Sequence, residues 1–441
     1  MNTLAAELAE QLSSRQATVG VIGLGYIGLP IAAAMVEAGF SVQGFDVDDA
    51  KVEQLLDGHD YLKHLGPGFA AQLMASGCFT PTADMNRLDE PDALVICVPT
   101  PLGGGREPDL GYVTGTARAV AAVLRAGQLV VLESTTYPGT TREVVLPLLE
   151  ATGLRCGTDF FLAYAPERED PGRRDLTTAQ IPRLVGGIDE VSAELARTLY
   201  GAAVDTVVAC SSAEVAEAAK LLENIYRAVN IAMVNEMKTL MVAMDIDIHE
   251  VIDAAATKPF GFSPFRPGPG LGGHCLPIDP FYLAHKAREV GLPTRFIELA
   301  GEINRGMPSY VVQRTVAALR QRGIEVSGAR VLVLGLAYKA DVDDTRESPS
   351  FVIIEELLGL GAAVDYHDPW VSETHPVRHA TIPPMVSVPL DGATLSGYDA
   401  VVLATDHAAV DYELLAAKAR LMIDTRGVMR GRGVVGDVET A

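Results

Sequence analysis

Residues 18–48, TVGVIGLGYIGLPIAAAMVEAGFSVQGFDVD, constrain the chain more than any other stretch. The order is apolar strand, glycine turn, apolar helix, glycine, second strand, which is one βαβ unit and implies a parallel sheet. Gly23, Gly25 and Gly28 stand in GxGxxG spacing between the first strand and the helix. In that context the first glycine permits a tight turn, the second lets a pyrophosphate approach the backbone, and the third lets helix and strand pack closely. Asp46 ends the second strand, where a carboxylate accepts hydrogen bonds from ribose hydroxyls and repels a 2'-phosphate. The unit predicts a dinucleotide site that prefers NAD to NADP.

Further buried-strand patterns at 93–98, 129–132, 160–164 and 206–209 alternate with helical stretches such as 115–125, so the first α/β domain is expected to end near residue 211. From Ser212 to Met244 neither Gly nor Pro occurs, and apolar residues recur at helical spacing, which predicts one long helix capped by Ser212. A helix of that length joins domains or builds a subunit interface. Strand patterns return at 330–336, 363–367 and 400–404. The expected fold class is α/β, with two Rossmann-like, doubly wound domains (1–211 and 326–441) joined by a long central helix and a helical middle domain (212–325).

The formal charge of −22, from 35 Lys plus Arg against 57 Asp plus Glu, disfavours nucleic acid and anionic membrane surfaces as partners. The first sixteen residues lack the basic and apolar regions of a signal peptide, and no apolar run is long enough to span a bilayer. A cytoplasmic protein is expected. The five cysteines are scattered without metal-ligand spacing or a disulfide framework, so each reads as a free thiol.

Only Cys275 has surroundings that argue for reactivity. It lies in FGFSPFRPGPGLGGHCLPIDP, whose glycines and prolines fix a backbone for close approach. Asp279-Pro280 reads as an N-cap followed by proline at the first helical position, which places the thiol just ahead of a helix N-terminus, where the thiolate is favoured. His274 beside it is either a structural hydrogen bonder or an acid/base. Lys220 and Asn224 share a face of the long helix, as a solvated pair or as an oxyanion site. Glu167 in YAPERED is a loop carboxylate with either reading open. Glu133-Ser134-Thr135-Thr136 sets hydroxyls at a strand end, where open α/β sheets bind ligands.

Together these residues resemble the UDP-glucose/GDP-mannose dehydrogenases over nearly the whole chain. The likeness rests on GLGYIGLP at 23–30, VPTP at 98–101, ESTTYPGT at 133–140, APEREDPG at 165–172, KLLEN at 220–224, GPGLGGHCLPIDP at 268–280 and GLAYKADVDDTRESPS at 335–350, in that order. The resemblance implies two successive hydride transfers from one sugar carbon to NAD, with Cys275 as nucleophile. Lys220 and Asn224 would stabilise oxyanions, Asp279 and Thr135 would position water and relay protons, and Glu167 would serve hydrolysis. Cofactor contacts are implied for Gly23, Gly25, Tyr26, Ile27, Gly28, Asp46, Pro99, Thr100, Thr135, Lys339 and Arg346. Substrate contacts are implied for Glu167, Arg168, Lys220, Asn224, Arg266, Gly272, Lys339 and Arg426. The implied partners are a nucleoside-diphosphate hexose, UDP or dTDP, and a second copy of the chain as a homodimer or larger assembly. The Cys275 loop looks most like the branch that oxidises UDP-N-acetylglucosamine, with UDP- or dTDP-glucose as the alternative.

Overall fold

The computed structural model describes residues 2–103, 107–168, 177–273 and 275–441. It divides into two compact units, Met1–Glu223 with Phe281–Leu292, and Asn224–Pro280 with Pro293–Ala441.

The first unit is built on eight strands: β1 (Thr18–Ile22), β2 (Ser41–Phe45), β3 (Phe79–Thr82), β4 (Ala93–Ile96), β5 (Leu129–Leu132), β6 (Phe161–Tyr164), β7 (Arg183–Gly187) and β8 (Val207–Ala209). Their order is β3-β2-β1-β4-β5-β6-β7-β8, parallel throughout except that β7 runs against β6. The strand order reverses between β1 and β4, and at such a switch point the crevice beyond the strands' carboxyl ends binds ligands. Both faces are buried. In β4, Ala93 and Val95 pack into one apolar cluster while Leu94 and Ile96 pack into the other, which is why ALVI reads as a continuous apolar run. The edge strand β3 contains Pro81, tolerable there because an edge leaves one side of the ladder without a partner.

The second unit has a five-stranded parallel sheet in the order β10-β9-β11-β12-β13, with β9 (Arg330–Leu334), β10 (Ala363–His367), β11 (Ala400–Leu403), β12 (Met422–Asp424) and β13 (Val438–Thr440). Val331 and Val333 face one cluster, and Leu332 and Leu334 face the other.

The Gly- and Pro-free segment forms one helix of 31 residues, Ala213–Ala243, with the Ser212 hydroxyl accepting from the Val215 N–H at 3.4 Å. Pro308 sits inside the Arg295–Gln321 helix. The Asp279-Pro280 expectation is corrected. The helix begins at Cys275 and runs to Glu289, with Pro280 inside it. Asp279 is one turn in and 1% exposed. Among the described residues, no helix is long and apolar enough to cross a membrane.

Candidate active site

In the first unit the parallel sheet delivers the sequence-predicted residues to a single edge. Gly23 follows β1, Asp46 follows β2, Pro99 and Thr100 follow β4, Thr135 follows β5 and Glu167 follows β6. The glycine turn has the geometry its spacing predicts. Gly23 has φ +92°, and a Cβ there would lie 2.7 Å from the Cys97 carbonyl oxygen. A Cβ on Gly28 would lie 1.8 Å from the Gly23 carbonyl oxygen, so the helix that Gly28 opens can sit where it does only without a side chain. Gly25 differs. A Cβ there would meet nothing within 4 Å. The missing side chain leaves a cleared approach to the turn, the space a pyrophosphate needs.

Asp46 is buried. Its Oδ2 accepts from the Leu24 N–H at 2.9 Å and lies 3.4 Å from Lys51 Nζ, while Oδ1 accepts from the Asp48 N–H at 3.0 Å. A carboxylate offers about four acceptor positions, so one remains for a ribose hydroxyl. These residues therefore fit NAD. Tyr26, predicted to touch the cofactor, stacks on His64 at 5.0 Å between centroids, and the Tyr61 hydroxyl donates to the Leu24 carbonyl at 2.5 Å. Pro99 is exposed, Ile27 half-buried and Thr100 buried. The Ser134 hydroxyl donates to the Val98 carbonyl at 2.7 Å, which ties the ends of β5 and β4 together beside Thr100 and Thr135.

Lys220 and Asn224 are not a solvated pair, since each is 5% exposed. Lys220 Nζ lies 3.9 Å from Glu167 Oε2, so the lysine and the β6 carboxylate form one buried ionic group. Arg168 donates to Glu223 at 2.6 and 3.2 Å and to the Pro182 carbonyl at 2.6 Å. The long helix grips this edge along one ridge: Glu214 accepts from Arg142 (2.5 Å), Glu217 from the Gly139 and Thr141 N–H groups and the Thr141 hydroxyl (2.6–2.9 Å), Lys220 faces Glu167, and Glu223 holds Arg168. Burial pushes the Glu217 carboxyl up to about 7 against the opposing pull of its donors.

Sequence reasoning did not assemble the buried group beneath this edge. Glu133 accepts from the Tyr200 hydroxyl at 2.5 Å and from Arg183 Nη1 at 3.3 Å, and Arg183 also donates to the Pro166 carbonyl at 3.1 Å. Arg183 thus links the residue before Glu167 to the strand end that carries Thr135. Its one sequence signal is an arginine at the head of an otherwise apolar and glycine run, RLVGG.

The second unit holds the thiol. Cys275 is the first residue of its helix and half-buried. One turn on, Asp279 Oδ2 accepts from Asn224 Nδ2 at 2.6 Å, which pairs two of the predicted residues directly. The glycine loop before the thiol is anchored at its start by Asn235, fully buried on the long helix. Asn235 Oδ1 accepts from the Gly268 N–H at 2.9 Å, and its amide donates to Asn304 at 3.0 Å. Arg426 Nε donates to the Ala404 carbonyl at 3.0 Å, and a Cβ on Gly268 would lie 3.0 Å from its guanidinium. Arg266 is half-exposed and pairs with Asp253. Arg346 is clamped on Asp344 at 2.6 to 3.1 Å, Lys339 is half-buried, and Gly272 packs on Tyr338. Lys238, which the sequence did not mark, is fully buried. Its amine donates to the Thr425 carbonyl at 3.3 Å and to the Ala441 carbonyl, and burial, then the nearby Arg426, pull its pKa down to about 7. His274 and residues 169–172 of the APEREDPG motif lie outside the described residues.

All five cysteines are free. Burial raises the thiols of Cys97, Cys156 (to about 12) and Cys210, so these three are held in the unreactive form.

Three models of the UDP-glucose/GDP-mannose dehydrogenase family match: its NAD binding domain over residues 17–204, its central domain over 214–306 and its UDP binding domain over 332–431. The chain is 38% identical over 393 residues to UDP-N-acetyl-D-glucosamine 6-dehydrogenase of Pseudomonas aeruginosa, covering 88% of this chain and 90% of that protein. It is 36% identical over 421 residues to UDP-N-acetyl-D-mannosamine dehydrogenase of Pyrococcus horikoshii, covering 93% and 96%. A structure of UDP-D-ManNAc dehydrogenase from P. horikoshii superposes with a TM-score of 0.86 at 34% identity, covering 96% of this chain and 98% of that one. The chain belongs to the UDP-glucose/GDP-mannose dehydrogenase family, as an NAD-dependent oxidoreductase of nucleotide sugars.

Proposed function

We propose that the chain oxidises the C6 alcohol of a UDP-N-acetylhexosamine, UDP-N-acetylglucosamine first, to the carboxylate through a covalent intermediate on Cys275. The observation that carries this reading is a thiol at the first position of a helix, in a loop fixed by glycines, with the buried Asn224–Asp279 hydrogen bond one turn away. The dipole of a helix favours negative charge at its N-terminus, on the sulfur and on an adjacent oxyanion. NAD supplies the hydride acceptor when bound along the glycine turn.

Cys275 adds to the aldehyde carbon as a thiohemiacetal and retains it through the second oxidation to a thioester, so a reactive aldehyde is never released. Water then opens the thioester, frees the acid and restores the thiol. Lys220, paired with Glu167, offers its charge to the alkoxide. Asn224 spends one amide hydrogen on Asp279 and has a second for an oxyanion. Asp279 and Thr135 orient water and move protons, and Glu167 assists hydrolysis. Arg168, Arg266, Gly272, Lys339 and Arg426 serve the diphosphate and the new carboxylate, and Arg346 serves the cofactor, the guanidinium fork suiting both kinds of oxyanion.

The proteins named above act on N-acetylated sugars, which supports an N-acetylhexosamine and does not favour the UDP- or dTDP-glucose alternative. The P. horikoshii match supports UDP-N-acetylmannosamine as a second reading. The division at residues 211 and 325 belongs to the same proposal, as does a homodimer built on the long helix. There Leu222, Tyr226, Met233, Met237 and Leu240 are 37–66% exposed at helical spacing, an apolar face that a second copy would cover. A monomeric mass by light scattering would remove the dimer.

The enzymatic test is NADH yield on a panel of UDP- and dTDP-sugars. Two NADH per sugar are expected with UDP-N-acetylglucosamine. One would indicate a simple alcohol dehydrogenase, and none a non-catalytic NAD-binding regulator. Cys275→Ala is expected to bind nucleotide sugar normally and form no acid, and normal turnover in that variant would discard the covalent step.

A further inference from the structure

The thiol loop is held against one short stretch of the second unit, residues 338–349. A Cβ on Gly270 would lie 3.2 Å from Pro349. One on Gly272 would lie 2.4 Å from Tyr338 Cβ and 3.2 Å from the Glu347 carbonyl oxygen, and one on Gly273 would lie 2.9 Å from the Tyr338 ring. A backbone hydrogen bond joins the two segments, with the Gly273 N–H donating to the Arg346 carbonyl at 2.8 Å. Gly273 is two residues ahead of Cys275, the first residue of the helix that bears the thiol.

The residue after Arg346 turns that carbonyl. Glu347 has φ +51°, a left-handed conformation that disfavours any residue with a Cβ and persists only where neighbours hold it. Its neighbours do so from the irregular segment after β10. Arg378 Nε donates to Glu347 Oε1 at 3.0 Å, and His379 Nδ1 lies 3.9 Å from Oε2. The other ring nitrogen of His379 donates to the Ser348 carbonyl at 3.1 Å, and His375 Nε2 lies 2.8 Å from the Thr345 hydroxyl. His379 also packs edge-on against Phe351, at 5.9 Å between centroids. The segment carrying Arg346 is therefore gripped by residues 375–379 as well as touching the glycine loop.

We propose that Glu347, held by Arg378 and His379, is a positioning residue for the thiol loop: it aims the Arg346 carbonyl at the Gly273 N–H and so fixes the helix start on which Cys275 is presented. None of the three needs to touch substrate. The effect on turnover rests on the nucleophile reading given above, whereas the effect on the loop does not.

The test is amide hydrogen exchange on the full-length protein, read by mass spectrometry on fragments that resolve Gly272 and Gly273. Two variants separate backbone from side chain. Glu347→Gly keeps the left-handed turn and removes the carboxylate, and Arg378→Ala removes the partner, whose side chain is 51% exposed, at little risk to folding. Exchange at Gly273 is expected to accelerate about tenfold or more in both, with β9 amides such as Val333 unchanged, and Arg378→Lys is expected to restore part of the protection. Turnover in the two variants is expected to fall several-fold in kcat, with KM for NAD unchanged. Unchanged exchange at Gly273 in either variant overturns the proposal, as does acceleration shared with Val333, which marks general loosening. Faster exchange with undiminished kcat would uphold the positioning role and count against Cys275 as nucleophile.

Discussion

The two glycine turns of the molecule start from the same plan and end with different capacities. Gly23 after β1 donates to the Phe45 carbonyl at 2.7 Å, and Gly335 after β9 donates to the His367 carbonyl at 2.8 Å. Both have φ +92°. Each turn is followed by an N–H that donates to the acid ending the neighbouring strand, Leu24 to Asp46 and Leu336 to Asp368. There the likeness stops. Asp368 accepts from five donors: the N–H groups of Leu336, Ala337, Trp370 and Val371, and His407 Nε2. His407 Nδ1 accepts the Asp341 N–H, so the ring's one proton is on Nε2 and points at the carboxylate. Asp46 accepts from three, the Leu24 and Asp48 N–H groups and Lys51. Where the first turn has Gly25, the second has Ala337. The first turn is open for a ligand, and the second is closed on itself and holds up a loop. The teaching is that the acid at the end of the second strand speaks for a dinucleotide only while its acceptors are unclaimed.

The largest expected effect lies at the closed turn. Gly335→Ala would put a methyl 2.4 Å from Thr405 Cβ at a left-handed backbone position and is expected to destabilise the second unit by about 4 kcal/mol in denaturant titrations. A loss under about 1 kcal/mol would mean the turn is looser than its contacts indicate. Asp368→Asn comes next, at about 3 kcal/mol near neutral pH, because it leaves buried donors facing an amide. The pH dependence has a defined sign. Burial opposes ionisation of Asp368, but the hydrogen bond from His407 and the backbone donors outweigh it and lower its pKa. Its contribution is then complete above the ordinary carboxylate value and is lost as pH falls through the lower native one. The gap between wild type and variant should be level above about pH 5 and narrow only below about pH 4, and a gap that closes near neutrality would sink the assignment. The smallest effect belongs to the open turn. Gly25→Ala should leave the melting temperature unchanged and weaken NAD by about tenfold, or about 1.4 kcal/mol, in calorimetry. Unchanged affinity there would place the pyrophosphate elsewhere.

Features that depend on neighbours in sequence were legible before any coordinates. The glycine turn, the unbroken helix and the thiol loop each express a local rule of backbone freedom or periodicity. What escaped depends on residues far apart in the chain. Arg183 meets Glu133 across 50 positions, and Tyr200 meets it across 67. Strands as short or as glycine-rich as FTPT, RLVGG and VET are strands because their neighbours pair with them. Asp279-Pro280 misled for a related reason. An aspartate before a proline fits a cap, but Asn224, 55 positions away, claims its carboxylate, and the helix had already begun at Cys275.

The ridge of grips along the first eleven residues of the long helix has a consequence for how such a chain can change over time. Glu214 and Glu217 meet residues 139–142, and Lys220 and Glu223 meet the neighbouring residues 167 and 168, so exchanging any one of them leaves the other three grips in place. A residue inserted or deleted among them would rotate everything beyond it by about 100° and misalign those grips together. This stretch can therefore vary in letters while its length is locked, and gaps in its descendants should collect in the loops that the ridge holds.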